Sequence, residues 1–459
     1  MKTDAMAAID QYIELFRKHR DLIDANGAPA INALRDDAAR RLAATQLPCK
    51  GSENFENIDL EDLLAPDYGI NLLKVDIDVN PEATFRCDVP VSSPSVLINL
   101  NDTFSASAEA LQQIPEGVEV GSLREMAQKY PEVIRQFYGK AADLDNPVTA
   151  LNTMLAQDGL YLRVKRGTRL ERPLQMVNIL SNGMPLMAVR RVLIIVDDDA
   201  SAKLLTCDHT QRDDLDFMAL ETVEIFVGEN ARFDYYDIEE STMRTSRLST
   251  LYARQAAGSQ LNIDGITLFN GTTRNEYYCR LEGEHAALRL YGMGIEDKTR
   301  TVSTYTRIDH QVPRCMSDEL FKFSLDDDSS GAFTGRIYVA EGAVKTEAYQ
   351  ANRNLLASDT ARMYSKPQLE IYNDDVKCSH GCAIGQLDPM QLFYMRTRGL
   401  TEDTAKLLLR QAFMADVIAG IDVEGLRDRL HLLTERRFAG IESACATCAA
   451  CHDSNSLQK

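Results

Sequence analysis

A chain of 459 residues with 50 Lys and Arg against 69 Asp and Glu has a formal net charge of −19, which makes a polyanion a poor partner. Nucleic-acid binding asks for a basic stripe, and the basic pairs Arg190-Arg191 and Arg436-Arg437 are isolated and expected to be solvated. Hydrophobic residues make up 44%, yet no apolar run approaches the ~18 residues of a membrane-spanning helix. The start, Met1-Lys-Thr-Asp-Ala5, lacks the apolar stretch of an export signal, so the ten cysteines are expected as reduced thiols in the cytoplasm.

The length suggests two or three structural units. Residues 1–157 are expected to form a mixed, mainly helical region. Ile9, Tyr12, Ile13 and Phe16 recur at helical spacing, and Asn26-Gly27-Ala-Pro29 stops that segment. A second helix is expected over 31–46 and a short third within 55–64. Residues 70–111 read as mixed, and 121–157 as helical again, with Pro131 near a start and Pro147 at a boundary.

From Leu160 to Tyr372 short runs of Val, Ile, Tyr and Leu alternate with small turns, and helix signals nearly vanish. Turns such as Gly228-Glu-Asn-Ala231, Ala257-Gly-Ser-Gln260 and Gly283-Glu-His-Ala286 recur at intervals of about 25–30 residues, a period that marks stacked coils. With no helices to make crossovers, a parallel β-helix over 158–380 fits better than a β-sandwich of this size. Leu204, Val223, Ile225, Phe233, Leu288 and Leu290 are its expected inward residues.

After Asp388-Pro389 the pattern turns helical, and a helical domain is expected over 381–441. Thr401 caps a second helix whose stripe, Ala405, Leu408, Leu409, Ala412, Phe413, Val417 and Ile418, is broad for self-packing alone. A third helix is expected over 423–433. Residues 442–459 read as a small, polar, flexible tail.

Chemistry concentrates in two places. The stretch Cys378-Ser-His380-Gly-Cys382 offers soft and borderline metal ligands. If it is extended, Cys378 and His380 point to one face. Two ligands do not close a tetrahedral site, and Cys-x-His alone more often marks a buried thiol beside a hydrogen-bonded ring. The tail carries Cys445, Cys448, Cys451 and His452, which suit zinc or an iron–sulfur cluster. Elsewhere His285 is expected to be solvated in a turn, His310 to be satisfied by packing, and Asp326-Asp-Asp328 to form a surface loop. Asp234, Asp237, Glu239 and Glu240 cluster loosely, as in carbohydrate-active β-helix enzymes, but a saccharide site also favours exposed aromatics and tryptophan is absent. No phosphate-binding loop occurs, so any ATPase must be another chain.

The segment Lys366-Pro-Gln-Leu-Glu370-Ile, followed by Asp374-Asp375-Val-Lys-Cys378-Ser-His380-Gly, resembles the signature of the SufB/SufD family, SufD type, of the SUF iron–sulfur cluster assembly machine. The likeness continues through Gly385-Gln-Leu-Asp388 and Leu392-Phe-Tyr-x-Arg396-x-Arg-Gly399, and more weakly through Asp158-Gly-Leu-Tyr161 and 189–208. Where the family usually has Ala-Thr after Ser-His-Gly, this chain has Cys382-Ala383.

The resemblance implies a mainly β fold with a right-handed parallel β-helix core. It also implies a non-catalytic scaffold that forms a heterodimer with a SufB-like subunit, with homodimerisation as a possibility, and docks a SufC-like ATPase on its carboxy-terminal helices. A transient iron–sulfur cluster or iron would form at the subunit interface, with His380 and Cys378 as ligands. Phe393, Leu408, Leu409 and Phe413 are the residues expected to bind the ATPase. Cys382 and the tail residues lie outside the family pattern, which leaves a metal or redox carrier built on the tail as the alternative.

Overall fold

The structure, a computed structural model, describes residues 7–74 and 96–441. Three strands lead in: β1 (Val96–Leu100), β2 (Thr103–Ser105) and β3 (Val118–Ser122). The solenoid then begins with β4 (Asp158–Val164), β5 (Leu174–Leu180), β6 (Leu186–Val196), β7 (Ser201–Thr210) and β8 (Phe217–Val227). It continues through β9 (Arg232–Glu240), β10 (Thr245–Gln255), β11 (Gln260–Phe269), β12 (Thr272–Leu281), β13 (Ala287–Glu296) and β14 (Thr301–His310). Its last turns are β15 (Met316–Leu325), β16 (Ser330–Val339), β17 (Glu347–Leu356), β18 (Arg362–Ile371) and β19 (Lys377–Gly385).

Even-numbered strands from β4 stack in one sheet and odd-numbered strands from β5 in the other, each from β6 on parallel to the strand two before it. The result is a right-handed β-solenoid in which every coil gives one strand to each sheet. Side chains two residues apart share a face, so inward residues stack in columns from coil to coil. Leu204, Val223, Ile225, Phe233, Leu288 and Leu290 are all buried in one such core. Each fully buried aliphatic or Phe side chain contributes about 1.5–3 kcal/mol, which repeated along the columns holds the coils together.

The recurrent turns owe their regularity to backbone conformation. Asp199, Asn230, His285, Arg314 and Lys345 all adopt positive φ, near 50–65°, and Gly258 does the same at +67°. At one corner the left-handed residue donates its N–H to the next coil, as from Asp199 to the Glu229 carbonyl and from Lys345 to that of Asp375. Asp and Asn tolerate this region better than most residues, which explains their place in the repeating turns.

Helices flank the solenoid. Helices Ala8–Lys18, Arg35–Ala44 and Pro147–Leu155 pack on the outer face of the even sheet, against Met187, Val189, Met218 and Leu220. Asn152, fully buried, donates to the carbonyls of Arg190 (2.8 Å) and Leu220 (3.0 Å) and fixes the last of these helices to the sheet. The helix expected over 31–46 is shorter, with a separate turn at Pro29–Asn32, and the helical stretch expected over 121–157 is three helices, Leu123–Lys129, Pro131–Phe137 and Pro147–Leu155, divided at the prolines as expected. Pro131 and Pro147 each begin a new helix because the residue before proline is pushed out of the helical region.

At the other terminus, helices Pro389–Thr397, Glu402–Ala419 and Glu424–Phe438 follow, the last of them longer than expected. Met414, Val417, Ile418, Leu426, Leu430 and Leu433 pack on the outer face of the odd sheet against Leu205, Tyr236, Ile238, Ile266 and Met293. Lys322 donates to the Phe413 carbonyl (2.7 Å), and Arg410 pairs with Asp326 (2.8 Å), so the acidic turn holds a helix. No helix among the described residues is long and apolar enough to cross a membrane.

Of the basic pairs, Arg190, Arg191 and Arg437 are not solvated, while Arg436 stays half-exposed. Arg190 and Arg191 are fully buried, Arg190 on Asp208 (2.6 Å) and Arg191 on Glu224 (2.6 Å), with Arg191 also over the Tyr138 ring. Arg437 is buried as well and donates to the carbonyls of Leu268 and Ile295. The four acids of the 234–240 stretch share no open face. By strand alternation Asp237 and Glu239 point into the solenoid, where Asp237 meets Arg247, while Asp234 and Glu240 point outward to Arg232 and Arg429. Burial pushes the Glu239 carboxyl up to about 7.

Candidate functional site

The solenoid ends at β18 and β19, the outermost strands of their sheets among the described residues. β18 breaks at Ile371, Asn373–Asp375 turn the chain, and β19 runs from Lys377 to Gly385, past the boundary expected at 380. The turn holds because Asn373 accepts from the Asp375 N–H (2.9 Å) and Lys345 donates to Asp375. Cys378, His380 and Cys382 therefore lie on one strand, two residues apart, on the face that looks into the solenoid.

Each of the three ends a different column. Cys378 follows Ala348 and Ser317 in register, His380 follows Gln350 and Glu319, and Cys382 follows Asn352 and Phe321. Cys378 is half-buried against the apolar core, and that burial pushes its thiol up. His380 and Cys382 are exposed at the mouth of the last coil. Cys382 Sγ donates to Ser365 Oγ at 2.9 Å across the coil. Ser365 in turn donates to Asn352 Oδ1 (2.6 Å), which also accepts from Asn354 Nδ2 (2.6 Å).

Deeper in the same interior, Glu319 is fully buried and accepts from Gln350 Nε2 (2.6 Å). Desolvation raises its carboxyl to about 7. A Cβ at Gly335, on the opposite strand, would meet Gln350 Nε2 at 2.3 Å, so the glycine gives this side chain its room. Gln350, Asn352 and Ser365 were not foreseen. They become visible only once the Glu341-Gly-Ala343 turn is aligned with Asn373-Asp-Asp375, because register then places each behind or across from a donor.

The three donors form a row rather than a cage. Among the described residues no group of three or more His, Cys, Asp or Glu is placed to hold a metal ion. The chemistry available is that of a half-site, an imidazole and thiols on an open edge whose remaining ligands must come from elsewhere. Cys445, Cys448, Cys451 and His452 lie outside the described residues. His310 is buried on Ser317 Oγ (2.9 Å) and its pKa falls to about 4, while His285 is exposed in its turn.

The residues expected on the ATPase-docking surface divide. Phe393 is 63% and Leu408 39% exposed. Leu409 is partly buried, and Phe413 packs on the solenoid core with Lys322 over its ring. Ala405, Val417 and Ile418 take the buried side of the stripe. Met390 and Tyr394, not anticipated, join Phe393 on a helix that buries no residue.

A family model for the SufBD core domain of the SUF system for FeS cluster assembly matches residues 179–413, and one for the SufBD protein N-terminal region matches 6–176. An iron–sulfur cluster assembly SufBD family protein of Synechocystis is 26% identical over 86% of this chain and 89% of its own length. The iron–sulfur cluster assembly protein SufD of Escherichia coli is 27% identical over 87% of this chain and 92% of its own. SufD of Bacillus subtilis is 24% identical over 78% and 83%.

Proposed function

We propose a scaffold role for this chain, which belongs to the SufB/SufD family of the SUF system for iron–sulfur cluster assembly. In this reading the chain catalyses no reaction itself. It pairs with a SufB-type subunit through the open end of the solenoid, and its carboxy-terminal helices dock a SufC-type ATPase. Iron or a nascent cluster is the cargo, held at the joint by His380 and by ligands of the partner.

One observation carries the reading: β19 presents an exposed histidine on a strand that, among the described residues, has no neighbour on its outer side. Such an edge is a template for strand addition. A partner strand laid against it would cover Ile384, which is 46% exposed. It would also bring its own ligands to His380 and exclude water from the metal. Imidazole and thiolate are ligands that iron accepts. Movement of the ATPase chains, transmitted through Phe393, Tyr394 and Leu408, would open and close this joint.

Hydrogen exchange tests the pairing. Amides of Lys377–Gly385 should slow on adding a SufB-type partner, and exchange unchanged at saturating partner contradicts it. The same edge admits a second copy of the chain when that partner is absent, which the molecular mass in solution reports.

A further inference from the structure

Strand spacing does not choose between two donor pairs at the open end. Residues two apart on a strand have Cα atoms about 6–7 Å apart and share a face, so Cys378 with His380 and His380 with Cys382 span the same reach. The surroundings differ sharply. Cys378 ends a column through Ala348 and Ser317, both fully buried, and packs against the apolar core with Val376 and Leu369. To ligate an ion at the mouth, its sulfur would have to leave that contact.

Cys382 already faces water at the mouth, and a polar chain holds it. Its sulfur lies on Ser365, Ser365 on Asn352, and Asn352 also donates to the Phe321 carbonyl at 3.3 Å. Behind His380, Gln350 is 3% exposed and held by Glu319, and its own carbonyl oxygen has no partner among the described residues. Buried polar atoms are rarely left unpaired without a role. Outer groups of this kind orient metal ligands and fix their protons.

We propose that the second donor beside His380 on this chain is Cys382, not Cys378, and that the pair binds a borderline divalent cation of the ferrous type. Ser365, Asn352 and Gln350 are its positioning residues. On ligation the thiol proton leaves to solvent, a metal–sulfur bond forms, and the Ser365 hydroxyl, which accepts from the thiol, turns from Asn352 to donate to the thiolate. The proposal rests on the scaffold reading above and departs from it by giving this chain a thiolate of its own at the joint.

The probe is Co²⁺, added to the full chain with Cys49, Cys87, Cys445, Cys448 and Cys451 changed to Ser so that other thiols do not report; Cys207, Cys279 and Cys315 are buried. Thiolate-to-cobalt charge-transfer absorption should appear. It should vanish in Cys382→Ser, with affinity at least about tenfold weaker, and persist in Cys378→Ser. Ser365→Ala should weaken binding by about tenfold while keeping the band, as removal of an outer partner does. A second readout needs no variant at Cys382: alkylation of that thiol should slow on adding Co²⁺. The proposal is overturned if the band survives Cys382→Ser, disappears in Cys378→Ser, or never forms. The scaffold reading has its own test, since Cys382→Ser should still show partner-induced protection of β19, and a chain that binds Co²⁺ but gains no protection contradicts that reading alone.

Discussion

At the amino-terminal end of the solenoid β2 turns back antiparallel on β1 and β3 lies antiparallel to β4, whereas β18 and β19 have no further strand beside them among the described residues. Phe104 and Ile114 pack against the first end of the apolar core, and helices Leu123–Lys129 and Pro131–Phe137 pack beside it on Tyr161, Leu193 and Ile195. At the far end most side chains of the last two strands are exposed or half-buried, and the carboxy-terminal helices run along the flank. One repeating coil thus has two terminations. The first is capped by short antiparallel strands and helices, whereas the second leaves His380 and Cys382 exposed on its last strand.

If that division is right, mutations should separate stability from assembly according to the end they touch. Arg191→Ala should have the largest effect on folding. It removes a fully buried guanidinium that bonds Glu224 and Thr153 beside the closed end and leaves the carboxylate buried. Breaking such a pair costs about 3–5 kcal/mol, and urea unfolding with a loss under about 1 kcal/mol would break the comparison.

Glu319→Gln should act in the opposite sense. Burial raises this carboxyl from 4.5 to about 7, so the folded state keeps a proton that the unfolded chain has released. Wild-type stability should therefore fall as pH rises from about 4.5 through about 7. The variant should lack that fall and be more stable by up to about 3 kcal/mol near pH 8. Equal pH profiles would show that the interior near the open end is not dry.

Phe393→Asp should change stability by less than about 0.5 kcal/mol, as surface changes do. Binding of the SufC-type chain should nonetheless be lost, which titration calorimetry measures. Wild-type affinity in this variant would move the docking surface elsewhere.

The solenoid was legible because its signals are local. Turn spacing, alternation and the proline boundaries each lie within one coil, and the inward placing of Leu204, Phe233 and Leu290 follows from them. The common face of Cys378 and His380 was legible for the same reason. What pairs between coils was not. Arg191 finds Glu224 only when β6 stacks on β8, so an isolated basic pair looked solvated. The opposite burial of Cys378 and Cys382 depends on their neighbours Ala348 and Asn352, one coil upstream. The stripe of helix Glu402–Ala419 revealed that it had an apolar face, but the sequence held no mark of how much the solenoid would cover, and Phe413 proved partly committed there.

The most direct test of the open end as the working end is cluster delivery to an acceptor protein by the reconstituted complex carrying His380→Ala. The imidazole is exposed, so the unfolding free energy should stay within about 0.5 kcal/mol of wild type. Delivery should fall well below that of a Cys448→Ala complex measured alongside. A His380→Ala complex that delivers clusters at the wild-type rate, with Cys448→Ala the crippled one, would contradict the account and move the site from the rigid end of the solenoid to the tail.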